Sequence, residues 1–333
     1  MNFVQLMRDT SVSWQKILAQ GFASVNELLE FLSLPVTLGS VKAEQTFKTR
    51  VPRGFAARME AGNPNDPLLL QVLAVDEELQ DVDGFEADPL AENAATSQQG
   101  LLHKYQGRVL LTLTGVCAVN CRYCFRRHFP YQDNNPGREG WQTVLDYIAN
   151  DVTIHEVILS GGDPLLATNS SLRRFLRQLE QIAHVKILRF HTRVPVVLPE
   201  RIDEEFLELL SSSSLRKVIV IHSNHANELD DSVAQACQLL RQAGCSLLNQ
   251  SVLLKGINDD VESLVTLSEQ LFQCDVLPYY LHLLDKVKGA AHFDIPLETS
   301  LTLYRQLQKR LPGYLVPRLA REEPGRASKT LVI

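Results

Sequence analysis

Three of the chain's six cysteines, Cys117, Cys121 and Cys124, form one short motif with the spacing C-x3-C-x2-C. The motif follows an apolar run from Val109 to Leu113, which predicts a buried strand that leads into a cysteine-bearing loop. Iron–sulfur clusters are bound through cysteine thiolates, so three thiols on such a loop predict three ligands of a [4Fe–4S] cluster. The motif has no fourth cysteine, which leaves one iron open to bind a substrate or a cofactor.

A structural zinc site is the alternative, because His128 follows the third cysteine and completes a Cys3His set. Compact sites of that kind usually staple a small domain without a core, whereas this chain is long. Reduced cysteines that are simply buried are a third possibility. That interpretation fits Cys237, Cys245 and Cys274, which fall on helix or strand patterns and are predicted to be core residues.

The composition is that of an ordinary globular protein. The chain has 333 residues, of which 45% are hydrophobic and 22% charged, enough to bury a full core without disulfides. Clustered cysteines favour a reducing compartment, and no apolar run has signal-peptide or membrane-span length, so we expect a cytoplasmic protein without membrane contact. The net charge of −6 argues against general nucleic-acid binding.

The first hundred residues contain no cysteine and predict a mostly helical N-terminal region. The stretch Ser24–Glu27 is typical of a capping box that opens an amphipathic helix. A turn-rich stretch at 62–67 precedes a further apolar run. The small, polar stretch 91–100 is interpreted as a linker.

After residue 101, short apolar or β-branched runs alternate with segments of helical periodicity. Amphipathic helices are predicted around 141–148, 172–182 and 233–240, the last ending at Gly244. The predicted strands are Val109–Thr114, Glu156–Ser160, Lys186–Phe190, Lys217–His222, Ser246–Val252 and Leu277–Leu283.

Strand–helix alternation implies right-handed crossovers and a parallel sheet. We therefore expect an α/β fold in which residues 101–320 form a six-stranded partial (β/α) barrel, followed by a C-terminal segment at 321–333. In such barrels the chemistry lies on loops at the carboxyl ends of the strands. The polar motifs of this sequence fall at those ends.

The second predicted strand runs into Ser160-Gly161-Gly162-Asp163. Its two glycines permit a close approach of the backbone to a ligand, and Asp163 is suited to fix the loop. A tight turn before a helix is the structural alternative.

Other polar residues stand at later strand ends. His222 follows the fourth strand, Gln250 interrupts the fifth, and Asp285 follows the sixth. For Gln250, a structural hydrogen-bond network inside the barrel is the alternative. For His222, a neutral hydrogen-bonding role is favoured over that of a metal ligand. Lys329 lies close to the end of the chain, where pattern alone predicts an ordinary exposed lysine.

Taken together, the motifs resemble the lysine 2,3-aminomutase family of radical S-adenosylmethionine (SAM) enzymes, and most of all its branch that acts in β-lysylation of elongation factor P. The resemblance extends over nearly the whole chain. It is carried by R-V-P-R-G-F, G-N-P-N-D-P-L-L, L-L-H-K-Y, C-A-V-N-C-R-Y-C-F-R-R-H-F-P-Y, S-G-G-D-P-L, N-H-A-N-E, N-Q-S-V-L-L, P-Y-Y-L-H-L-L-D-K, G-Y-L-V-P and S-K-T.

The resemblance implies three cofactors: a [4Fe–4S] cluster, SAM and pyridoxal 5′-phosphate (PLP). It makes Lys329 the catalytic lysine that binds PLP. SAM would be bound at its open iron and by the Ser160–Asp163 loop, with His222 and Gln250 nearby. The further contacts of the PLP phosphate or ring would be Lys104, Tyr105 and Arg108.

The implied substrate is lysine, which the family converts from the (S)-α to the (R)-β isomer. The substrate carboxylate would bind Arg126, whose planar fork suits a carboxylate. The substrate ε-ammonium would bind Asp285 and Glu322. Implied partners are elongation factor P, its lysyl ligase and an electron donor such as flavodoxin or ferredoxin. An aminomutase for another amino acid and a PLP-independent radical SAM enzyme are the alternatives.

Three features depart from the family pattern. Glu322 stands where the lysine mutases carry aspartate, so we expect a differently shaped ammonium pocket. The loop before the PLP lysine reads Gly-Arg-Ala-Ser instead of a glycine run, which predicts a stiffer loop. The sequence also stops at Ile333, without the C-terminal extension that those enzymes use in assembly.

Overall fold

The computed structural model describes residues 12–92, 96–131 and 137–332. The N-terminal region is helical, as predicted, and three of the five short helices in its described residues begin at a side-chain cap. Ser24 Oγ accepts a hydrogen bond from Asn26 N, Ser40 Oγ accepts from Ala43 N, and Asp66 accepts from Leu68 N and Leu69 N. These helices are α1 (Trp14–Ala19), α2 (Val25–Phe31), α3 (Val41–Thr46), α4 (Arg53–Ala56) and α5 (Pro67–Leu70).

A single sheet of ten strands follows, with the strands in chain order from one edge to the other. Strands β3 to β9 run parallel to one another, whereas β1, β2 and β10 pair antiparallel at the two edges. The strands are β1 (Thr96–Gln98), β2 (Leu101–Tyr105), β3 (Arg108–Thr114), β4 (Glu156–Gly161), β5 (Ile187–Thr192), β6 (Arg216–Ile221), β7 (Cys245–Val252), β8 (Leu277–His282), β9 (Arg318–Arg321) and β10 (Thr330–Leu331).

The predicted α/β fold with a parallel sheet is confirmed, and all six predicted strands are present as β3 to β8. Their crossovers contain helices, and Gly244 follows one of them with φ of +81°, as predicted for a helix end. The helices of this part are α6 (Gly137–Asn150), α7 (Asn169–Leu179), α8 (Val194–Val197), α9 (Glu204–Ser212), α10 (Asp231–Gln242), α11 (Val261–Gln273) and α12 (Leu297–Arg310).

Four strands were not predicted. The linker interpretation of 91–100 is wrong at β1, which pairs with β2; residues 93–95 of that stretch lie outside the described residues. Strands β1, β9 and β10 have three, four and two residues, too few to display an alternating pattern. β9 extends the parallel sheet beyond the six predicted strands to a seventh.

One hydrophobic core connects the N-terminal helices with the barrel. It contains the fully buried Leu28 and Phe55 from the N-terminal region together with Leu188 and Phe190 of β5. The N-terminal region therefore packs directly on the sheet and is able to support loops at its carboxyl edge. Of the helices in the described ranges, none combines the length and hydropathy that crossing a bilayer requires.

Candidate active site

A cavity of about 270 Å³ lies at the carboxyl ends of the parallel strands. It is lined by residues of β2, β3, β4, β5, β7 and β8 and of loops that follow the strands, including the loop after β6. Such a ring of lining residues means that the sheet curves around the cavity as a partial barrel. Every residue proposed from the sequence as a site residue lines this cavity. They are Cys117, Cys121, Cys124, Lys104, Tyr105, Arg108, Arg126, Ser160, Gly161, Gly162, Asp163, His222, Gln250, Asp285, Glu322 and Lys329.

The cysteine-bearing loop after β3, residues 115–128, is fixed from the N-terminal region by buried ion pairs. Arg122 is fully buried and donates to both carboxylate oxygens of Glu78, at 2.8 and 2.6 Å, and to Phe47 O at 2.6 Å. Arg127 donates to the same carboxylate at 2.6 Å. Arg122 and Arg127, two of the three arginines in this loop, thus hold it in place.

The thiols of Cys117 and Cys124 have raised pKa values, because burial and neighbouring cysteines disfavour their thiolate forms. Burial, and then the charges of Cys124 and Cys121, raise the pKa of Cys117, and burial with Cys121 raises that of Cys124 to about 11. Arg193 Nη1 lies 2.7 Å from Cys121 Sγ. Buried, crowded thiols of this kind become stable thiolates when cationic iron binds them. The loop therefore fits a cluster.

The zinc alternative fails on geometry. His128 donates from Nε2 to Lys288 O at 3.1 Å and does not line the cavity with the cysteines. The Cys3His set that spacing suggested is thus not assembled.

The glycine loop packs against the cysteine-bearing loop. A Cβ on Gly162 would lie 2.5 Å from Val116 O, and Gly161 has φ of +110°, so both positions need glycine. Asp163 fixes the loop as predicted, accepting from Thr192 Oγ1 at 2.6 Å and from Arg193 N at 2.7 Å. The two glycines therefore allow the glycine loop to pack against the cysteine-bearing loop, and they also leave its backbone accessible from the cavity.

Charged side chains of alternating sign line one wall of the cavity. Arg126 donates from Nε and Nη2 to the two carboxylate oxygens of Glu92, at 2.6 and 2.8 Å. Lys104 Nζ lies 3.5 Å from a carboxylate oxygen of Glu92 and 3.5 Å from one of Glu322. Lys329 Nζ lies 2.9 Å from the other oxygen of Glu322. This series connects the cysteine-bearing loop to the C-terminal segment.

The two acids near Lys329 have opposite pKa shifts. Burial disfavours ionised Glu322, but the charges of Lys329 and Lys104 lower its pKa to about 2. Burial and the charge of Glu322 raise the pKa of Asp285 to about 7. Asp285 and Glu322 also line a second cavity, of about 560 Å³, so they stand between the two spaces.

Four buried polar atoms of residues that line the first cavity have no partner among the described residues: His191 Nε2, Arg193 Nε, His222 Nε2 and Gln250 Nε2. A polar ligand in the cavity would supply partners, which supports the prediction for His222 and Gln250. Burial lowers the pKa of both histidines, so their rings are neutral.

The alternative of a structural hydrogen-bond network is correct for Asn249 and Ser251, the neighbours of Gln250 on β7. Asn249 Oδ1 accepts from Ser223 N at 2.9 Å, and Asn249 Nδ2 donates to Ser251 Oγ at 2.9 Å. Side chains alternate along a strand, so Gln250 points to the opposite face and into the cavity. In the N-Q-S stretch, Asn249 and Ser251 thus form a structural network, and Gln250 faces the cavity.

Sequence reasoning missed several residues that line the cavity. His191 and Arg189 share one face of β5, and His282 ends β8. Their polar character on apolar strands was the available signal. Glu92 had no such signal, because it stands in a small, polar stretch and its partner Arg126 is distant in sequence.

Comparisons with known proteins agree with this arrangement. The family model of the radical SAM superfamily matches residues 111–267. The chain is 50% identical to the L-lysine 2,3-aminomutase of Haemophilus influenzae over 96% of this chain and 95% of that protein. It is 47% identical to the L-lysine 2,3-aminomutase of Escherichia coli, over 99% of this chain and 97% of that protein. The corresponding protein of Buchnera aphidicola is 40% identical over 98% of this chain and 97% of its own length.

Proposed function

The chain belongs to the lysine 2,3-aminomutase family of the radical SAM superfamily, and we propose that it converts (S)-α-lysine to (R)-β-lysine. The observation that carries the proposal is the position of Lys329. Pattern alone made it an exposed tail lysine, yet its amine lies in the same cavity as the three cysteine thiols. An aminomutase of this chemistry needs a PLP lysine and a cluster loop around one substrate.

The proposed cofactor sites follow the cavity wall. Cys117, Cys121 and Cys124 would hold a [4Fe–4S] cluster. The unpartnered atoms of His222 and Gln250, together with the Ser160–Asp163 loop, would hold SAM. Lys329 would hold PLP covalently, with Lys104, Tyr105 and Arg108 as the proposed contacts of its phosphate or ring. When bound, the cluster and SAM supply the radical chemistry, and PLP supplies the carbonyl that carries the migrating nitrogen.

The protein's own contribution is to hold the substrate by its two charged ends. Arg126 would bind the carboxylate at one end of the cavity, and Asp285 with Glu322 would bind the ε-ammonium at the other. Charge-assisted hydrogen bonds of this kind contribute about 1.5–3 kcal/mol each. Such fixed ends place Cα and Cβ reproducibly, and a misplacement of about 1 Å is enough to lower a rate about 100-fold.

The two acids favour lysine over an anionic amino acid. A glutamate side chain at that end would meet Glu322, whose low pKa keeps it charged at neutral pH. An aminomutase that acts on glutamate needs a cation in that place. The departure from aspartate to glutamate at 322 is compatible with lysine, because Lys104 and Tyr105 hold the longer side chain.

The link to elongation factor P rests on the family resemblance. We propose that a separate lysyl ligase attaches the β-lysine to that factor, and that a flavodoxin or ferredoxin reduces the cluster. Both the donor and the cluster thiolates suit the reducing cytoplasm that the cysteine usage predicts.

The test is turnover of defined substrates. Anaerobically reconstituted enzyme with PLP, SAM and reductant is incubated with lysine, and separately with glutamate. We expect β-lysine from the first incubation and no β-amino acid from the second. Turnover of glutamate but not lysine would favour the aminomutase for another amino acid.

A second measurement separates the PLP-independent alternative. Borohydride reduction followed by peptide mapping should label Lys329 with a pyridoxyl group, and Lys288 serves as the unlabelled control. Iron and sulfide present without any pyridoxyl label would support a radical SAM enzyme that does not use PLP.

A further inference from the structure

The side chain of Glu92 binds Arg126 from one side. Its two oxygens accept from Nε at 2.6 Å and from Nη2 at 2.8 Å, and both residues are buried. Bidentate pairs of this kind fix the plane of the guanidinium as well as its charge. The orientation of Arg126 in the cavity is thus determined by Glu92.

The remaining contacts of Arg126 define which edge is left for a ligand. Nη1 donates to Ser160 Oγ at 3.0 Å and, over a long 3.4 Å, to Gly161 O. The rings of Phe125 and Phe129 lie 5.0 and 5.9 Å from the guanidinium carbon. Among the described residues, four of its five N–H groups have acceptors, the Gly161 contact being the weakest. A substrate carboxylate would bind at the Nη edge.

Glu92 is also the anion that Arg126 and Lys104 share. It pairs with Arg126, and Lys104 Nζ lies 3.5 Å from the same carboxylate. Lys104 lies equally far from Glu322, so these four side chains together carry no net charge. Without Glu92, the buried Arg126 and the half-buried Lys104 would lose the anion between them.

The backbone that presents Glu92 is strained. Ala91 has φ of +48°, a left-handed conformation that alanine rarely adopts. Glu92 N donates to Asp88 Oδ1 at 2.9 Å, and the same segment is tied to the loop after β8 through Glu86 N, which donates to Lys286 O at 2.9 Å. Local strain of this type persists where the surrounding structure imposes it, most often at functional sites.

We propose that Glu92 is a positioning residue, which holds Arg126 from the side so that its Nη edge faces the substrate carboxylate. The inference rests on the proposed function, in which Arg126 binds that carboxylate. It assigns a role to a residue in the segment between the N-terminal helices and the sheet. It also means that selection of ligands with a carboxylate over ligands without one depends on two residues, Arg126 and Glu92.

The test compares two ligands that differ in the carboxylate. L-Lysine has it, whereas 1,5-diaminopentane lacks it and keeps both amines. Dissociation constants are measured by calorimetry on reconstituted, PLP-loaded enzyme without SAM, for the parent and for Glu92→Gln. Glu77→Gln, at an exposed glutamate of the N-terminal region, is the matched control.

We expect Glu92→Gln to weaken lysine binding about tenfold, equivalent to about 1.4 kcal/mol, and to leave diaminopentane binding unchanged. Glu92→Asp keeps the charge on a shorter side chain and should restore part of the loss. Unchanged lysine binding overturns the proposal. An equal loss for both ligands also overturns it, because it shows a merely structural role for Glu92.

Arg126→Gln separates this proposal from the one on which it rests. If Arg126→Gln weakens lysine but not diaminopentane, while Glu92→Gln affects neither, Arg126 binds the carboxylate without help from Glu92. If Arg126→Gln affects both ligands equally, the assignment of the carboxylate end to Arg126 fails. Selective weakening of lysine in both variants supports the two together.

Discussion

The cysteine-bearing loop and the C-terminal segment, residues 321–332, face the same cavity but are held by different means. The loop depends on the fully buried Arg122 and its ion pair with Glu78. The C-terminal segment depends on the short strand β10 and on partly exposed ion pairs, such as Lys329 with Glu322, whose side chains are 21 and 19% exposed. The cysteine-bearing loop is therefore positioned by residues distant in sequence, whereas the C-terminal segment is held mainly by residues close to it in sequence.

This difference fits the two proposed cofactor roles. A cluster needs three sulfurs in fixed relative positions, which a loop anchored by buried ion pairs supplies. A PLP lysine must exchange partners, since its amine has to leave Glu322 to react. Removing one member of a buried ion pair costs about 3–5 kcal/mol, whereas exposed pairs contribute about 0–1 kcal/mol. We therefore expect the two regions to respond differently to substitution.

The largest effect is expected from Cys124→Ala. Loss of one thiolate from a three-cysteine site should abolish cluster binding and with it β-lysine formation. Iron and sulfide analysis after anaerobic reconstitution measures the first effect, and turnover the second. Cys274→Ala, at a half-buried cysteine of the core, is the control and should keep both. Full iron content in the Cys124 variant would contradict the assignment of the loop.

Lys329→Ala should abolish turnover as completely but leave the cluster intact. The variant loses the proposed covalent attachment of PLP, while the cysteine-bearing loop keeps its anchors in the N-terminal region. We expect the iron content of the parent and no pyridoxyl label after borohydride reduction. Lys288→Ala removes a lysine that is 51% exposed and should behave as the parent does. Iron loss in the Lys329 variant would show that the two regions are not independent.

Glu78→Gln tests the anchor of the loop. The change leaves Arg122 and Arg127 buried with a neutral partner, and we expect the free energy of unfolding to fall by about 3–5 kcal/mol. Denaturant unfolding of the apoprotein measures it. Glu323→Gln, in the C-terminal segment, should cause a smaller loss, because Glu323 pairs with the exposed Arg321 and Arg326. Equal losses would remove the distinction between the two regions.

The same contrast explains what could be predicted from the sequence. The cysteine motif, the glycine loop and the six strands β3 to β8 are local patterns, so spacing and periodicity reveal them. Lys329 has no local pattern, and only the family resemblance identified it. Strand β10, which positions it, has two residues and forms because β9 offers a sheet edge.

The anchors were harder to predict than the motifs. Glu78 and Glu92 are acids in a helical region and in a presumed linker, and each is matched to an arginine far along the chain. A single sequence does not reveal which acid meets which arginine, because the pairing depends on how the N-terminal region packs on the sheet. Arg122, Arg126 and Arg127 each need an anionic partner once they are buried, but the sequence does not identify it.

The smallest expected effect is a pH dependence confined to the ammonium end of the cavity. Burial and the charge of Glu322 raise the pKa of Asp285 to about 7, while Lys329 and Lys104 lower it and Glu92 adds to the rise. Below that pH the carboxyl group is protonated and neutral, so its attraction for the substrate ammonium is lost. Lysine affinity should therefore weaken as the pH falls through about 7, by at most about tenfold per pH unit.

Calorimetric titration with lysine from pH 6 to 8 measures the effect, and Asp285→Asn should abolish it. Over the same range the iron content should stay constant, since Asp285 is not one of the proposed cluster ligands. A pH profile that persists in Asp285→Asn would place the titrating group elsewhere, and a parallel change in iron content would place it at the cluster.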